Sequence, residues 1–440
     1  MIKEYFDFAA NKTDLKTEIL AGITTFIAGM YIIVVNPSIL KEAGIPYNAA
    51  LTATVLLSGF LTVAMGLYAK NPVLMAPGMG INAYFTYSIV IGMKVSPNVA
   101  LGAIFWSGVF FVIISILNIR TGIIKAIPKS VRTGGAVGIG LFIALIGFHN
   151  SGFIVTKEPF IGSGNLNGTT FVFLLGLFIT VVLVQKKIKG ALVLGMIITT
   201  LLAFPVGRWI GTAENTTPLI QWHGIFSAPD FSWILKADLI NSLKYSFIPI
   251  VFSLLFVDMF DSITTFVGVA EATGLKDSEG NPKNIKESMI VDGFATLFAG
   301  LLGTSSGTAY IESAAGIEEG GRTGLTAVVT GLLFLPFLFF APLAQLVPPV
   351  ATAPVLVLVG VFMAAALNRV NWKNTAEAIP AFLTMILIPL TYSLTQGIVY
   401  GLLSHTLIKC VNGKAKDIPV MLWIIDIFSI LMLAIEYGIL

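Results

Sequence analysis

The chain has 440 residues, 56% of them apolar and 11% charged, with a mean hydropathy of +0.90. Such values persist almost from end to end, so they exclude an ordinary soluble domain and predict an all-α polytopic membrane protein. The net charge of +3 gives no reason to invoke nucleic acid, and the single cysteine, Cys410, excludes an internal disulfide.

At roughly 20 residues per crossing the apolar segments divide into about fourteen spans. In chain order they are expected at 17–40, 49–70, 71–92, 98–118, 128–149, 169–186, 189–208, 245–267, 286–302, 303–320, 322–345, 351–368, 374–393 and 394–411. The first is preceded by the polar stretch Asn11 to Glu18 and lacks a small-residue cleavage site, so it reads as a span and not as a removable signal peptide. Ile418 to Leu440 is also apolar but carries Asp426 and Glu436, and reads either as a surface helix or as one more span.

Seven spans precede the polar stretch Gly211 to Asp238 and about seven follow it. The chain therefore divides into a first repeat, 1–210, and a second, 239–440, and an odd number of spans per repeat inverts the second relative to the first. Basic residues orient this layout, because inner loops hold the excess of Lys and Arg. With the N-terminus cytoplasmic, only Lys41, Lys94, Lys157, Arg208, Lys236 and Lys244 of the 26 fall outside; Arg120, Lys125, Lys129, Arg132, Arg322 and Arg369 are among those inside. The expected location is the cell membrane.

Two spans, the third of each repeat, break in the middle: Met75-Ala-Pro-Gly-Met-Gly-Ile-Asn82 and Gly303-Thr-Ser-Ser-Gly-Thr-Ala-Tyr-Ile-Glu312. Unsatisfied backbone groups inside lipid cost several kcal/mol each, so such breaks survive only where they are buried or line a cavity. Paired breaks in corresponding positions point to a transporter's binding site. Each is expected as a short extended piece followed by a half-helix whose N-terminal amides and dipole attract anionic or carbonyl oxygen. Gly-rich packing helices are the plainer alternative.

Carboxylates within the spans add chemistry. Asp258 and Asp261 lie three apart in Leu254-Leu-Phe-Val-Asp-Met-Phe-Asp-Ser262, and Glu312 closes the second break. A span starting near Ser246 puts Asp258 about 18 Å along its axis, near the bilayer centre, and Lys244 is too far away to pair with it. A charge at that depth faces a partner or a cavity. Two carboxylates close together in low dielectric do not both ionise cheaply, which makes Asp258, Asp261 and Glu312 candidate proton carriers. Asp261 alternatively nears the cytoplasmic end of its span, and Glu312 alternatively caps the half-helix beginning at Ser313. Asn82, two residues after Gly80, offers a donor and an acceptor or else a cap. Phe85 and Phe260 could stack on a planar ligand, although in a chain with 32 phenylalanines packing is the commoner role. His149, His223 and His405 have no metal-site spacing, and no metal or cofactor is expected.

Ala76-Pro-Gly-Met-Gly-Ile-Asn-Ala-Tyr-Phe85, Phe256-Val-Asp-Met-Phe-Asp-Ser262, Tyr310-Ile-Glu-Ser-Ala-Ala-Gly316 with Gly320-Gly-Arg-Thr-Gly324, and Ile23-Thr-Thr-Phe26 with Val35-Asn-Pro-Ser-Ile39 resemble the signatures of one family. It is the hypoxanthine/guanine/adenine (azaguanine-type) permease branch of the nucleobase-cation symporter-2, or nucleobase:ascorbate transporter, family, and the resemblance runs over nearly the whole chain. It implies a core of spans 1–4 and 8–11 and a gate of spans 5–7 and 12–14, with a purine nucleobase bound between them. It further implies Glu312 as the substrate-binding carboxylate of span ten and Asp258 as its partner in span eight, with Asp261, one turn on, as the competing match. Asn82 and Gly80 would be the functional pair of span three, with Phe85 and Thr25 as further substrate contacts. A coupling proton, in preference to sodium, and a homodimer are the implied partners. The same architecture also carries anions in sulfate and bicarbonate transporters, and acidic residues could line a cation channel. No nucleophile and base stand together as an enzyme would require.

Overall fold

The structure is a computed structural model that describes residues 2–117, 127–157, 160–206, 218–222, 224–276 and 282–436. Arg120, Lys125, Arg208 and His223 lie outside the described residues, as does the side chain of Glu436. Each stretch expected to cross the bilayer coincides with a helix, a run of helices or a strand followed by a helix. Among the described residues seven helical stretches are long and apolar enough to cross a membrane by length and composition, including Leu15–Glu42, Lys129–Asn150 and Pro349–Arg369. The protein is a multi-pass membrane protein.

Local chemistry sets the helix ends. Asp14 accepts from the Thr17 amide at 3.0 Å and caps Leu15–Gly29. Ser96 caps Pro97–Ile116, with Pro97 in the first turn where its missing N–H is harmless. Gly274 ends Ile248–Thr273 in the left-handed conformation, φ 72°. The first span is interrupted: Leu15–Gly29 gives way to Ile32–Glu42, and Tyr31 sits at the joint.

Helix packing brings distant parts of the chain together. Ile285–Leu302 runs along Pro97–Ile116, and Gly324–Phe334 along Tyr47–Leu67. Both contacts bring backbones together, as small residues allow between membrane helices: a Cβ on Gly324 would lie 1.9 Å from the Gly66 carbonyl oxygen. Pro349–Ala364 packs along Lys129–Asn150, and Thr375–Thr391 lies against both Lys129–Asn150 and Leu394–Val411.

Both breaks contain a strand and a short helix. β1 (Met75–Pro77) precedes the helix Met79–Ala83, which continues as a π-helix over Tyr84–Gly92. A second pair of strands, β2 (Ile154–Lys157) and β3 (Phe160–Ser163), forms a hairpin unforeseen in the sequence reading, where β-branched Ile154, Val155 and Thr156 supply the strand propensity. β4 (Gly307–Ala309) precedes the helix Ser313–Glu318.

β1 and β4 pair with each other, antiparallel, with Met75 opposite Ala309, Ala76 opposite Thr308 and Pro77 opposite Gly307. Bonds beyond the ladder complete the backbone accounting. The Gly78 amide donates to Ser306 O (2.9 Å), the Tyr310 amide to Leu74 O (3.0 Å), and the Leu74 amide to Ser313 Oγ (2.9 Å). Thr62 Oγ1 accepts from the Met75 amide and donates to its carbonyl, both at 3.0 Å. Irregular backbone survives at this depth because the two breaks satisfy one another.

Toward the C-terminus, Val420–Glu436 forms a helix. It buries Asp426, whose Oδ2 accepts from the Thr406 hydroxyl at 2.5 Å, and exposes Val420, Trp423 and Ile427.

Candidate functional site

A cavity of about 240 Å³ lies where the two breaks meet Ile248–Thr273 and Pro349–Ala364. Met79 and Gly80 line it from the first break and Thr308 to Glu312 from the second. Asp261, Thr264 and Thr265 come from Ile248–Thr273, Tyr31 from the joint of the first span, and Phe362, Met363 and Arg369 from the Pro349–Ala364 helix and its extension. Its walls are mostly apolar with a few convergent polar groups, the usual character of a small-molecule site.

Two carboxylates face this space. Glu312 occupies the position just before Ser313–Glu318, yet its side chain makes no capping bond; it turns to Tyr31, whose hydroxyl donates to Glu312 Oε1 at 2.6 Å. Asp261 Oδ2 accepts a long bond from Thr308 Oγ1 at 3.5 Å, and Thr308 is shared with Ser262 Oγ at 2.7 Å. Tyr310 donates to the Pro77 carbonyl at 2.5 Å, tying the second break to the first.

Backbone amides differ between the breaks. In the second, the amides of Ser313, Ala314 and Ala315 donate to Tyr310, Ile311 and Glu312 carbonyls in tight turns. The exposed amides expected at the start of this half-helix are thus already engaged, because 3₁₀-type bonds close its first turn. In the first, Asn82 makes the first intrahelical bond, to Gly78 O (2.9 Å), so the amides of Met79, Gly80 and Ile81 precede the helical ladder.

The other residues singled out in the sequence stand behind the cavity wall. Asp258 is fully buried and turns toward Ile285–Leu302, where the Thr296 hydroxyl donates to its Oδ2 in a short bond and its Oδ1 has no partner. A step of three residues leaves the two side chains only about 60° apart around the helix, so they stand on adjoining flanks: Asp258 meets Thr296 of the neighbouring helix while Asp261 lines the cavity. Asn82 donates to Asn36 Oδ1 (3.0 Å), and Asn36 donates in turn to Thr54 (2.7 Å) and Thr304 (2.9 Å). Phe85 is buried in the main apolar core. Thr25 packs where a Cβ on Gly316 would come within 2.1 Å of its Oγ1, so it seats Ser313–Glu318 against the first span. Phe260 lies edge-on to Phe256, 4.9 Å between centroids, beside a smaller cleft it shares with Asp261.

Sequence reading passed over Tyr31, Tyr310, Thr308, Arg369 and Asp292. Tyr31 and Arg369 gave no local signal, since each reaches the site only through folding. Asp292 could have been flagged as an acid within an apolar segment: it is fully buried, with neither carboxylate oxygen hydrogen-bonded. Among the described residues no group of His, Cys, Asp and Glu is arranged to hold a metal ion.

The transmembrane domain of the cyanobacterial bicarbonate transporter BicA shares this fold, with a TM-score of 0.61 over 88% of this chain and 97% of that one at 18% identity. Sequence relatives are more similar. Adenine permease AdeP of Escherichia coli is 38% identical, covering 98% of this chain and 95% of its own length. Guanine/hypoxanthine permease PbuO of Bacillus subtilis is 37% identical, covering 98% of this chain and 100% of its own. The family profile described as "Permease family" matches residues 16–400. With relatives of this identity along nearly its whole length, the chain belongs to the Xan_ur_permease family, the nucleobase:cation symporter-2 permeases, and is a transporter and not an enzyme.

Proposed function

We propose that this permease imports purine nucleobases, hypoxanthine, guanine or adenine, across the cell membrane by proton symport. The observation that carries the reading is the convergence of Asp261, Glu312 and both backbone breaks on one cavity of about 240 Å³. A purine offers N–H donors and ring-nitrogen or carbonyl acceptors along a flat edge. Glu312 and Asp261 are placed to accept from the donors, while amides of the Met79–Gly80 turn donate to the acceptors. The permeases AdeP and PbuO, named for adenine and for guanine and hypoxanthine, support this substrate class. Two carboxylates in the wall of the cavity, against the single Arg369 there, argue against a small inorganic anion, although the BicA-like fold accommodates one.

In this reading Asp258, Asn82, Phe85 and Thr25 act from behind the wall, holding the elements that carry Asp261, Gly80 and Glu312. Protonation of Asp261, Glu312 or Asp258 favours loading, and release inward follows deprotonation. The chain forms fourteen crossings in a seven-plus-seven inverted repeat, with the N-terminus cytoplasmic. Pairing of β1 with β4 and the matched packing of Ile285–Leu302 on Pro97–Ile116 and Gly324–Phe334 on Tyr47–Leu67 support that symmetry. Spans 1–4 and 8–11 form the core, and spans 5–7 and 12–14 form a gate against which the core moves, in a homodimer.

The test is binding of hypoxanthine, guanine, adenine, xanthine and uracil to purified wild type and Glu312→Gln, by thermal shift and then calorimetry. Selective binding of one or two purines, lost in the variant, is the expected result; no response to any base would overturn the substrate class. Uptake into proteoliposomes that ignored an imposed pH gradient but required sodium would overturn the coupling.

A further inference from the structure

Beside the cavity lies a second, wider space of about 440 Å³, where the basic groups of Lys129, Arg132 and Arg369 stand among Thr133, Thr264 and several apolar side chains. The two spaces are neighbours, since Ala136, Thr264, Ala366 and Arg369 line both. Lys129 and Arg132 stand in the first turn of Lys129–Asn150, just after Pro128, which makes no capping bond. Among the described residues neither has a salt-bridge partner, and Arg132 Nε is buried without a hydrogen bond. A carboxylate does approach from one side, because Arg132 and Asp261 line the same small cleft, but that cleft of about 30 Å³ leaves no room for a ligand. The vestibule therefore sets Lys129 and Arg132, at a helix start, beside open space, next to the cavity that holds the acids.

We infer that the vestibule binds the phosphoryl group of a purine nucleoside 5′-monophosphate whose base occupies the adjoining cavity, so that the nucleotide blocks the permease from the inner side. The inference rests on the purine reading above for the base, and on the vestibule alone for the phosphate. Guanidinium and ammonium groups at a helix start are a natural phosphate cradle, and Arg offers it a planar fork of donors. A nucleotide joins the two chemistries in the order in which they stand: base, then ribose, then anion. Ribosyl phosphate transfer to an imported base makes this molecule, which gives the inner face a reading of how much imported base has been consumed. The charged phosphate also keeps the ligand from being carried outward, since it stays on the vestibule cations and does not enter the apolar cavity.

The experiment titrates the purified protein in neutral detergent with adenine, adenosine and adenosine 5′-monophosphate, and with the guanine series, each directly by calorimetry and by competition against the base. The wild type is expected to bind the monophosphate at least tenfold more tightly than the nucleoside. Lys129→Gln and Arg132→Gln should each cut that advantage about threefold or more, and together erase it, while base affinity stays within twofold and reports an intact fold. A wild type that binds base but shows no phosphate advantage, or a double variant that keeps it, overturns the inference and leaves the substrate reading standing. A wild type that binds no base at all overturns the substrate reading separately. Repeating the titration in nanodiscs of phosphatidylcholine and of phosphatidylglycerol distinguishes the source of the phosphate: an advantage that disappears only with phosphatidylglycerol assigns the vestibule to a lipid headgroup and overturns the nucleotide.

Discussion

The two breaks have the same backbone plan and different chemistry. Each runs from a three-residue strand into a short helix, and the strands pair with one another. The second break aims Glu312 at the cavity and closes its own amides into tight turns, whereas the first aims Gly80 and leaves the amides of Met79 to Ile81 ahead of the helical ladder. Its polar side chain, Asn82, turns away to Asn36. The difference teaches that two breaks with one paired backbone present different groups: a carboxylate side chain lining the cavity from one, and main-chain amides ahead of the helical ladder from the other.

Removing the acceptor is the hardest blow to this contrast. Glu312→Gln loses charge-assisted bonds worth about 1.5–3 kcal/mol, so purine affinity by calorimetry should fall about 10- to 100-fold; an unchanged affinity would make Glu312 a structural residue. Next comes steric pressure on the first break. A Cβ on Gly80 would lie 2.3 Å from Ile139 Cγ2, and overpacking of this kind costs about 1–3 kcal/mol. Gly80→Ala should slow proteoliposome uptake about tenfold, and adding Ile139→Ala should restore at least half of it; no restoration would mean that the glycine serves the base and not the packing.

A smaller effect separates the two aspartates. Asp261→Asn is expected to weaken base binding about tenfold and Asp258→Asn less than threefold, since only Asp261 lines the cavity; the reverse order would place the substrate one helical turn away. Tyr31→Phe removes a neutral donor to Glu312, a change of about 1 kcal/mol, and should cost about fivefold in affinity. Smallest for binding is Asn82→Ala, expected within threefold of wild type. Its cost should appear as a lower unfolding temperature, because Asn36 Oδ1 loses a buried donor. An affinity loss as large as that of Glu312→Gln would mean that Asn82 contacts the base.

Much of the fold was legible because lipid enforces simple rules. Long apolar stretches, capped by Asp14, Ser96 and Asn167, form helices at the expected places, and Gly and Pro clusters mark where helices fail. Site residues were legible where they broke those rules: Glu312 and Asp261 stand out as acids in apolar sequence, and Gly80 as a glycine in a break. Tyr31 gave no such signal, since an isolated tyrosine in an apolar span has many roles and this one meets Glu312 across 281 residues. From the residues alone Asp258 stood ahead of Asp261, and only the neighbours of their helix show that Asp261 lines the cavity while Asp258 meets Thr296.

By itself, then, the sequence determined that the chain is a multi-pass membrane protein with two interrupted segments and which polar groups lie within them, because hydrophobicity and helix propensity act locally along the chain. Tertiary structure decided that the breaks pair with each other, that Asp261 and not Asp258 reaches the cavity, that Tyr31 holds Glu312, and that Lys129, Arg132 and Arg369 gather beside it. Those outcomes depend on which way a side chain points once helices from distant parts of the chain close around it, and local propensity carries no information about that direction.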